Sequence, residues 1–154
     1  MALYFNNIFF FLLLLLITPN LDLSLAKGCF LSPIYQVHII NKLPSNTPQL
    51  QVHCASKDDE IANDYLDIDE DLHWSFCESF FENTLYFCHF WWGSMNKSIT
   101  VFDDAGSCVH HGLYANYLNY CKWEVRQDGF YLEMYNTTDI KNTSYFMYHN
   151  NYWS

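Results

Sequence analysis

The chain has 154 residues, which is enough for one domain and not for two. It carries 7 basic and 17 acidic residues, so its formal net charge is −10. This balance argues against binding to nucleic acid or to an anionic membrane surface, because both attract Lys and Arg.

The first segment has the layout of a secretory signal peptide. Residues 8–17 form the uninterrupted apolar run IFFFLLLLLI, and small residues at positions 24 and 26 precede a cleavage point before Lys27. A membrane span needs about 20 apolar residues, and Pro19 and Asn20 end the run too early. The sequence predicts a signal peptide over residues 1–26 and an exported domain over residues 27–154, without membrane insertion after cleavage. Loss of Asp22 changes the formal charge from −10 to −9.

Short segments rich in aromatic and β-branched residues recur between turn clusters along the exported domain. Their apolar residues alternate with polar ones, which indicates strands rather than helices. The predicted strands are residues 35–42, 49–55, 72–77, 84–92, 98–103, 120–126, 130–135 and 144–148. Asp128-Gly129 is predicted as the two-residue turn of a tight hairpin. Seven or eight such strands predict an all-β domain, a two-sheet antiparallel β-sandwich.

The exported domain contains six cysteines, an even number that indicates a disulfide framework in a short exported chain. They are Cys29, Cys54, Cys77, Cys88, Cys108 and Cys121. No C-x-x-C pair occurs, which argues against a zinc site or a thioredoxin-like redox site. Cys54 and Cys121 fall on the apolar faces of their strands, which predicts a Cys54–Cys121 bridge between the sheets. The pattern leaves the other pairs open.

Three Asn-x-Ser/Thr sequons begin at Asn96, Asn136 and Asn142. In an exported chain, sequons are acceptors for N-linked glycans, and a glycan requires a solvent-facing position. We therefore predict glycosylation within this set.

An acidic run occupies residues 58–71, with eight carboxylates in 14 residues. Asp67, Asp69, Asp71 and Glu78 are spaced like calcium ligands of an EF-hand loop. However, Leu72 stands where that loop needs Gly, and the flanking segments are predicted strands. The run is therefore interpreted as a solvated loop.

Histidines do not form a convincing metal motif in this sequence. His110 and His111 follow Cys108 closely, but a disulfide-bonded cysteine cannot ligate, and adjacent side chains on a strand point to opposite faces. The remaining strand histidines (His38, His53, His73 and His89) are interpreted as half-buried structural residues. No metal and no cofactor are predicted.

Nothing in the sequence predicts an enzyme: it contains no nucleophile elbow, zinc-protease helix motif, P-loop or dinucleotide-binding motif. Residues 87–92, FCHFWW, carry bulk on both faces of one strand. Core packing is the interpretation for most of these side chains, while exposed aromatic residues would suit a recognition surface.

The order of these features resembles the plant self-incompatibility S-proteins of poppy pistils and the S-protein homologues. The resemblance extends from Tyr35 to Leu132. The matching segments are VHIIN at 37–41, LQVHCASKDD at 50–59, WSF at 74–76, TLYFC at 84–88, WW at 91–92, CKW at 121–123 and DGFY at 128–131.

The resemblance implies a secreted β-sandwich with two core disulfides. Cys54, Cys88, Cys108 and Cys121 correspond to the four cysteines of the family. With Cys54–Cys121 as one bridge, Cys88–Cys108 is the other, and Cys29 and Cys77 are an additional pair or free. The family pattern continues Asp-Leu-Gly after the acidic block, where this chain has Glu60-Ile61-Ala62. The exposed residues Lys57, Asp58 and Asp59 are the expected receptor-binding residues.

By resemblance, the function is that of an extracellular ligand for a plant cell-surface receptor. The type members of the family act in pollen–pistil self-incompatibility, and that narrower role is a weaker inference for this chain. Two alternatives remain open from the sequence. One is a cell-wall or carbohydrate-binding module that uses Trp91, Trp92 or Trp153, and the other is a small apoplastic enzyme.

Overall fold

The computed structural model describes Cys29 and residues 33–77, 84–108, 119–136 and 144–154. Its elements in chain order are β1 (Ile34–Asn41), β2 (Leu50–Ala55), β3 (Glu60–Leu66), β4 (Asp71–Cys77), β5 (Tyr86–Trp92), β6 (Met95–Phe102), the single helical turn α1 (Ala105–Cys108), β7 (Asn119–Arg126), β8 (Gly129–Asn136) and β9 (Ser144–Asn151). Within the described residues, no helix is long and apolar enough to span a membrane. The predicted signal peptide, residues 1–26, lies outside the described part of the chain.

Alternation of polar and apolar residues produces the central strands. In β1 and β7, every second side chain is buried, as a strand with one face on a core requires. The strands form a five-stranded sheet, ordered β4-β1-β7-β8-β9, and a four-stranded sheet, ordered β3-β2-β5-β6. The prediction of an all-β, two-sheet fold is confirmed. One detail differs, because β1 and β7 pair in parallel while every other strand pair is antiparallel.

The core lies between the two sheets and is rich in aromatic residues. Its largest fully buried side chains include Phe90 and Phe102 from the four-stranded sheet and Phe130 from the five-stranded sheet. Burial of each such side chain contributes about 1.5–3 kcal/mol. The indole Nε1 of Trp123 donates a hydrogen bond to the Val101 carbonyl oxygen at 3.0 Å and so satisfies the one polar group of this buried side chain.

Asn41 is a buried polar residue that joins the two sheets. It lies at the end of β1 and is only 2% exposed. Its Nδ2 donates to the carbonyl oxygen of Leu66 in β3 at 2.9 Å, and its Oδ1 accepts from the Leu43 amide at 3.0 Å. The side-chain amide thus satisfies two backbone groups that would otherwise be buried without partners.

The acidic run was predicted to be a solvated loop, but residues 60–66 within it form the strand β3. This strand pairs only with β2 and is an edge of its sheet. Most of its side chains are exposed, while Leu66 at its end is buried. An edge strand with one solvated face tolerates carboxylates, which also prevent pairing with another chain. Because exposed polar residues occupy most of its positions, the alternating pattern of a strand is not recognisable in β3.

The hairpin between β7 and β8 is shifted by one residue from the predicted turn. Arg126 pairs with Gly129, so the turn residues are Gln127 and Asp128. Gly129 has φ of 145°, and a Cβ there would lie 2.1 Å from the carbonyl oxygen of Asn151. Glycine is required here by the close approach of β9 rather than by a turn with two positive φ angles.

Three disulfides cross-link the fold: Cys29–Cys77, Cys54–Cys88 and Cys108–Cys121. The predicted Cys54–Cys121 and Cys88–Cys108 pairings are wrong. Cys54 and Cys88 are direct neighbours on β2 and β5 of the same sheet, with their Cα atoms 4.1 Å apart. An inward-facing cysteine can be bonded to its neighbour within the sheet as well as across the core, and alternation does not distinguish the two.

Candidate recognition surface

The three residues expected to bind a receptor lie in the turn between β2 and β3. Lys57, Asp58 and Asp59 are all exposed. The Ser56 hydroxyl accepts hydrogen bonds from the amides of Asp58 at 3.3 Å and Asp59 at 3.0 Å, and the Ser56 amide donates to the Asp59 carbonyl oxygen at 2.8 Å. These bonds fix the backbone while the charged side chains face solvent. Residues 56–59 are called the acidic turn below.

A cleft of about 630 Å³ lies beside the acidic turn, where the edge strands β3 and β4 approach each other. Ile34, Ile61, Phe76 and Tyr86 contribute apolar surface to its walls. Trp74 also lines the cleft, and its buried Nε1 has no hydrogen-bond partner within the described residues. Asp59, Glu60 and Ser75 add polar surface, so the cleft is of mixed character. A cleft with an unsatisfied donor is suited to bind a group that offers an acceptor.

The electrostatics of this corner are dominated by carboxylates. Burial raises the pKa of Tyr86, and the negative charge of Asp59 raises it further. Glu60 follows the acidic turn, and its Oε1 lies 3.6 Å from Nε2 of His53. With one lysine and three acidic residues at positions 57–60, the corner is net negative.

On the opposite side of the sandwich, Ser154 lies against the edge strand β6. The backbone groups of Ser154 exchange hydrogen bonds with those of Asn96 in β6, at 3.1 and 3.3 Å. The edge of β6 is therefore paired at this point, whereas the cleft opens beside β3 and β4 on the other side. Within the part of the chain that the structure describes, the cleft and the acidic turn lie together at one corner of the fold.

The three predicted glycan acceptors differ in where they lie in the fold. Asn96 is exposed on the outer face of β6, opposite Trp91 of β5. Because its backbone bonds point to Ser154, Asn96 and Trp91 form a non-hydrogen-bonded pair, in which side chains lie close together. Asn136 ends β8, and Asn142 lies outside the described residues.

A serine–histidine pair on the outer face of the four-stranded sheet bears on the enzyme hypothesis. The Ser98 hydroxyl lies 2.8 Å from Nδ1 of His89, which stacks on Trp91 with ring centroids 4.0 Å apart. A nucleophile and its base need a third group to orient the base. Within the described residues, Nε2 of His89 has no hydrogen-bond partner. No described residue therefore serves as the orienting group that a catalytic triad needs.

The tryptophans named for carbohydrate binding are mostly committed to packing. Trp92 is 6% exposed, and its ring lies 5.9 Å from that of Trp153. Trp153 also packs on Phe130 at 4.6 Å and donates from Nε1 to the Arg126 carbonyl oxygen at 2.9 Å. Only Trp91 of the three lies on an outer sheet face, so they do not form a shared platform for a sugar.

The calcium-like spacing in the acidic run does not produce a calcium loop. Its first two positions lie in the turn between β3 and β4, where Glu70 Oε2 accepts from the Asp67 amide at 2.7 Å and Asp69 pairs with Lys42 at 2.6 Å. Glu78 lies outside the described residues. Carboxylates of this turn are thus used to close the turn and to pair with a lysine.

A group of metal-ligand side chains that the sequence did not predict lies on the outer face of the five-stranded sheet. His38, Asp71 and His73 each offer one ligand atom within 4.8 Å of the others. No local pattern indicates this group, because His38 lies 33 residues before Asp71 and the pairing of β1 with β4 brings them together.

Fold, disulfides and surface define a class: a small β-sandwich domain with three disulfides and an acidic turn beside a cleft at one corner. Its disulfides are consistent with an extracellular location, since such bonds persist in oxidising compartments. The sequence model of the family described as plant self-incompatibility protein S1 matches residues 36–149. The chain belongs to this family, which confirms the resemblance found in the sequence.

Individual relatives agree with this assignment. Self-incompatibility protein S1 of Papaver rhoeas is 30% identical over 116 residues, which cover 72% of this chain and 76% of the relative. S-protein homolog 2 of Arabidopsis thaliana is 33% identical over 111 residues, covering 72% and 66%. S-protein homolog 5 of Arabidopsis thaliana is 32% identical over 85 residues, covering 53% of this chain and 59% of the relative.

Proposed function

We propose that this protein is a secreted, non-catalytic ligand of a plant cell-surface receptor and that it contacts the receptor through the acidic turn. Export depends on the predicted signal peptide, residues 1–26. Family membership supports the proposal, since one relative is named for self-incompatibility. A role in recognition between pollen and pistil is the narrower form of the same proposal.

The single observation that carries the proposal is the construction of the acidic turn. Its backbone is held by the Ser56 hydrogen bonds, and the Cys54–Cys88 bridge lies two residues before Ser56. A charged loop held by a rigid scaffold is a common binding element. A loop already fixed in its binding conformation loses little entropy when a partner binds.

The partner surface that fits this corner is basic. Asp58, Asp59 and Glu60 would meet lysine or arginine side chains, and the neighbouring cleft would accept an apolar side chain from the same partner. Complementary charge of this kind increases the association rate and the discrimination between partners. Binding should therefore weaken as salt concentration rises, because salt screens the attraction between exposed charges, with a screening length of about 10 Å at 0.1 M ionic strength.

A glycan on Asn96 is compatible with this binding mode. In the four-stranded sheet, the acidic turn follows β2 beside the first residues of β5, whereas Asn96 pairs near the last residues of β5 and lies on the far edge strand. The two positions are diagonally opposite, so a glycan at Asn96 leaves the turn free. Secretion from plant cells, followed by glycosidase treatment, should reduce the mass of the protein, and the Asn96→Gln variant should show a smaller reduction.

The test of the proposal is binding of labelled, oxidised protein to wall-stripped cells and to pollen of the plant that expresses the chain. Saturable binding by the oxidised protein, with none by a reduced and alkylated sample, is the expected result. Absence of saturable binding to both cell types would contradict a receptor ligand. Binding to isolated wall polysaccharide instead would favour the carbohydrate-binding alternative.

A further inference from the structure

The outer face of the five-stranded sheet carries two histidines in direct register. His38 of β1 and His73 of β4 are cross-strand partners, and their rings stack with centroids 5.1 Å apart. Asp71 precedes His73 by two residues and therefore lies on the same face of β4. Side chains directly opposite on an antiparallel pair have Cβ atoms about 4.5–5.5 Å apart. Three ligand-type side chains thus meet above one small area of the sheet.

The distances within this group are close to those around a metal ion. Nδ1 of His38 lies 2.9 Å from Oδ2 of Asp71, and Nδ1 of His73 lies 4.0 Å from Oδ1 of Asp71. Around a tetrahedral Zn²⁺ with bonds of about 2.0–2.2 Å, ligand atoms are roughly 3.4 Å apart. To ligate the same ion, His73 would exchange the 3.2 Å contact between its Nδ1 and the Asp71 carbonyl oxygen for a bond to the metal.

Gln36 fixes the orientation of the His38 ring. Nε2 of His38 lies 3.2 Å from Oε1 of Gln36, and the Gln36 amide in turn donates to the Ser75 hydroxyl at 2.9 Å. With its NH₂ group donating to Ser75, Gln36 presents its oxygen to His38, so Nε2 of His38 carries a hydrogen. Nδ1 of the same ring is thereby directed at the Asp71 carboxylate, where either a proton on Nδ1 or a metal ion can bridge the two groups.

This arrangement matches the way proteins support metal-ligating histidines. A ligating histidine usually donates its second ring N–H to a fixed acceptor, which sets the tautomer and the ring orientation. Gln36 is such an acceptor. The nearby Lys122, opposite His38 on β7, lies 3.4 Å from Glu133, so its charge is paired on the side away from Asp71.

We propose that His38, Asp71 and His73 form a binding site for a divalent transition-metal ion of the zinc class. Two imidazoles and one carboxylate suit Zn²⁺, and three protein ligands leave a coordination position for water or for a group of a partner. His38 and Asp71 have 22% and 38% of their side-chain surface exposed, so an ion can enter from solvent. The site is separate from the acidic turn and does not depend on the proposed receptor.

The test uses the oxidised full-length secreted protein, without an affinity tag, after removal of metal with a chelator. Zn²⁺ binding is measured by calorimetry, and Co²⁺ binding by its visible absorption. Wild-type protein should bind one Zn²⁺ that shifts the ring resonances of His38 and His73. Loss of an outer-shell partner weakens metal binding by about 10–100-fold, so Gln36→Ala should lower the affinity in that range. Loss of a ligand in His73→Ala should cost more.

His53→Ala is the matched control, because it removes a half-exposed strand histidine from the other sheet and leaves the proposed ligands intact. It should bind Zn²⁺ as the wild type does. The proposal is overturned if His73→Ala binds Zn²⁺ with wild-type affinity, if His53→Ala weakens binding equally, or if the wild type binds no Zn²⁺. His73 is 56% exposed, so its replacement should leave the fold intact, which unfolding curves without metal will verify.

Discussion

Replacing Asn41 by alanine should destabilise the sandwich strongly, although it removes only a small polar side chain. The amide group of Asn41 bonds to the Leu66 carbonyl oxygen and to the Leu43 amide, and both of these residues are buried. Alanine can make neither bond. The substitution therefore leaves one acceptor and one donor without partners at the junction between the two sheets.

The magnitude follows from the number of groups left unsatisfied. Each buried polar group that loses its partner costs about 1–3 kcal/mol, so the two together cost about 2–6 kcal/mol. We expect a loss of about 3 kcal/mol in the free energy of unfolding, since the carbonyl oxygen can recover part of its bonding from water. Against a total of about 5–15 kcal/mol for a small domain, this is a large fraction.

Urea unfolding of the oxidised protein, followed by tryptophan fluorescence, measures this effect. With a slope of about 1–3 kcal/mol per molar urea, the midpoint should fall by at least about 1 M. Asn63→Ala, which removes an exposed asparagine from β3, is the control and should change stability by less than about 0.5 kcal/mol. If both variants lose the same small amount, the buried amide of Asn41 does not join the sheets as described.

Three further predictions concern the disulfides, the hairpin and a surface carboxylate. Non-reducing peptide mapping should recover Cys54 linked to Cys88, and replacing both with alanine should cost about 3–4 kcal/mol; a bridge from Cys54 to any other cysteine contradicts the fold. Gly129→Ala should lower the stability by about 2 kcal/mol or more because of its φ angle and the nearby β9 carbonyl, and a neutral effect would refute that packing. The Tyr131 hydroxyl holds the pKa of Asp128 below its usual value, so Tyr131→Phe should raise that pKa in an NMR titration. The bond stabilises the fold above the unfolded-state pKa of Asp128 and this stabilisation is lost as pH falls through the lower folded-state pKa; an unchanged pKa would contradict the bond.

Much of the strand content could be predicted from alternation, and the exception has a physical reason. The pattern in β7 is clear because its inward residues Cys121, Trp123 and Val125 face a core while Lys122 and Glu124 face solvent. In β3 the exposed face and the free edge both accept carboxylates, so few apolar positions remain to indicate a strand. Such an edge strand is recognised from the neighbour with which it pairs.

Pairings between distant segments were beyond the reach of the sequence pattern. Alternation indicates which face a cysteine occupies, but Cys54 bonds to Cys88 because β2 and β5 are neighbours. The parallel pairing of β1 with β7 likewise depends on strand order. The same limit applies to His38 and His73, which were interpreted separately as structural residues. The position of Lys57 to Asp59 in an exposed turn, by contrast, was predicted by the family resemblance.

A competition assay on wall-stripped cells and pollen tests most directly whether the acidic turn contacts a receptor. The variant Lys57→Ala/Asp58→Ala/Asp59→Ala removes the charges of the turn and keeps the Ser56 backbone bonds. The control variant Gln127→Ala/Asp128→Ala lies at the opposite end of the sandwich. Both variants change the net charge by the same one unit. We predict that the first variant competes with labelled wild-type protein at least about tenfold more weakly, equivalent to about 1.4 kcal/mol, while the second competes as the wild type does. Equal competition by the two variants and the wild type would contradict the claim.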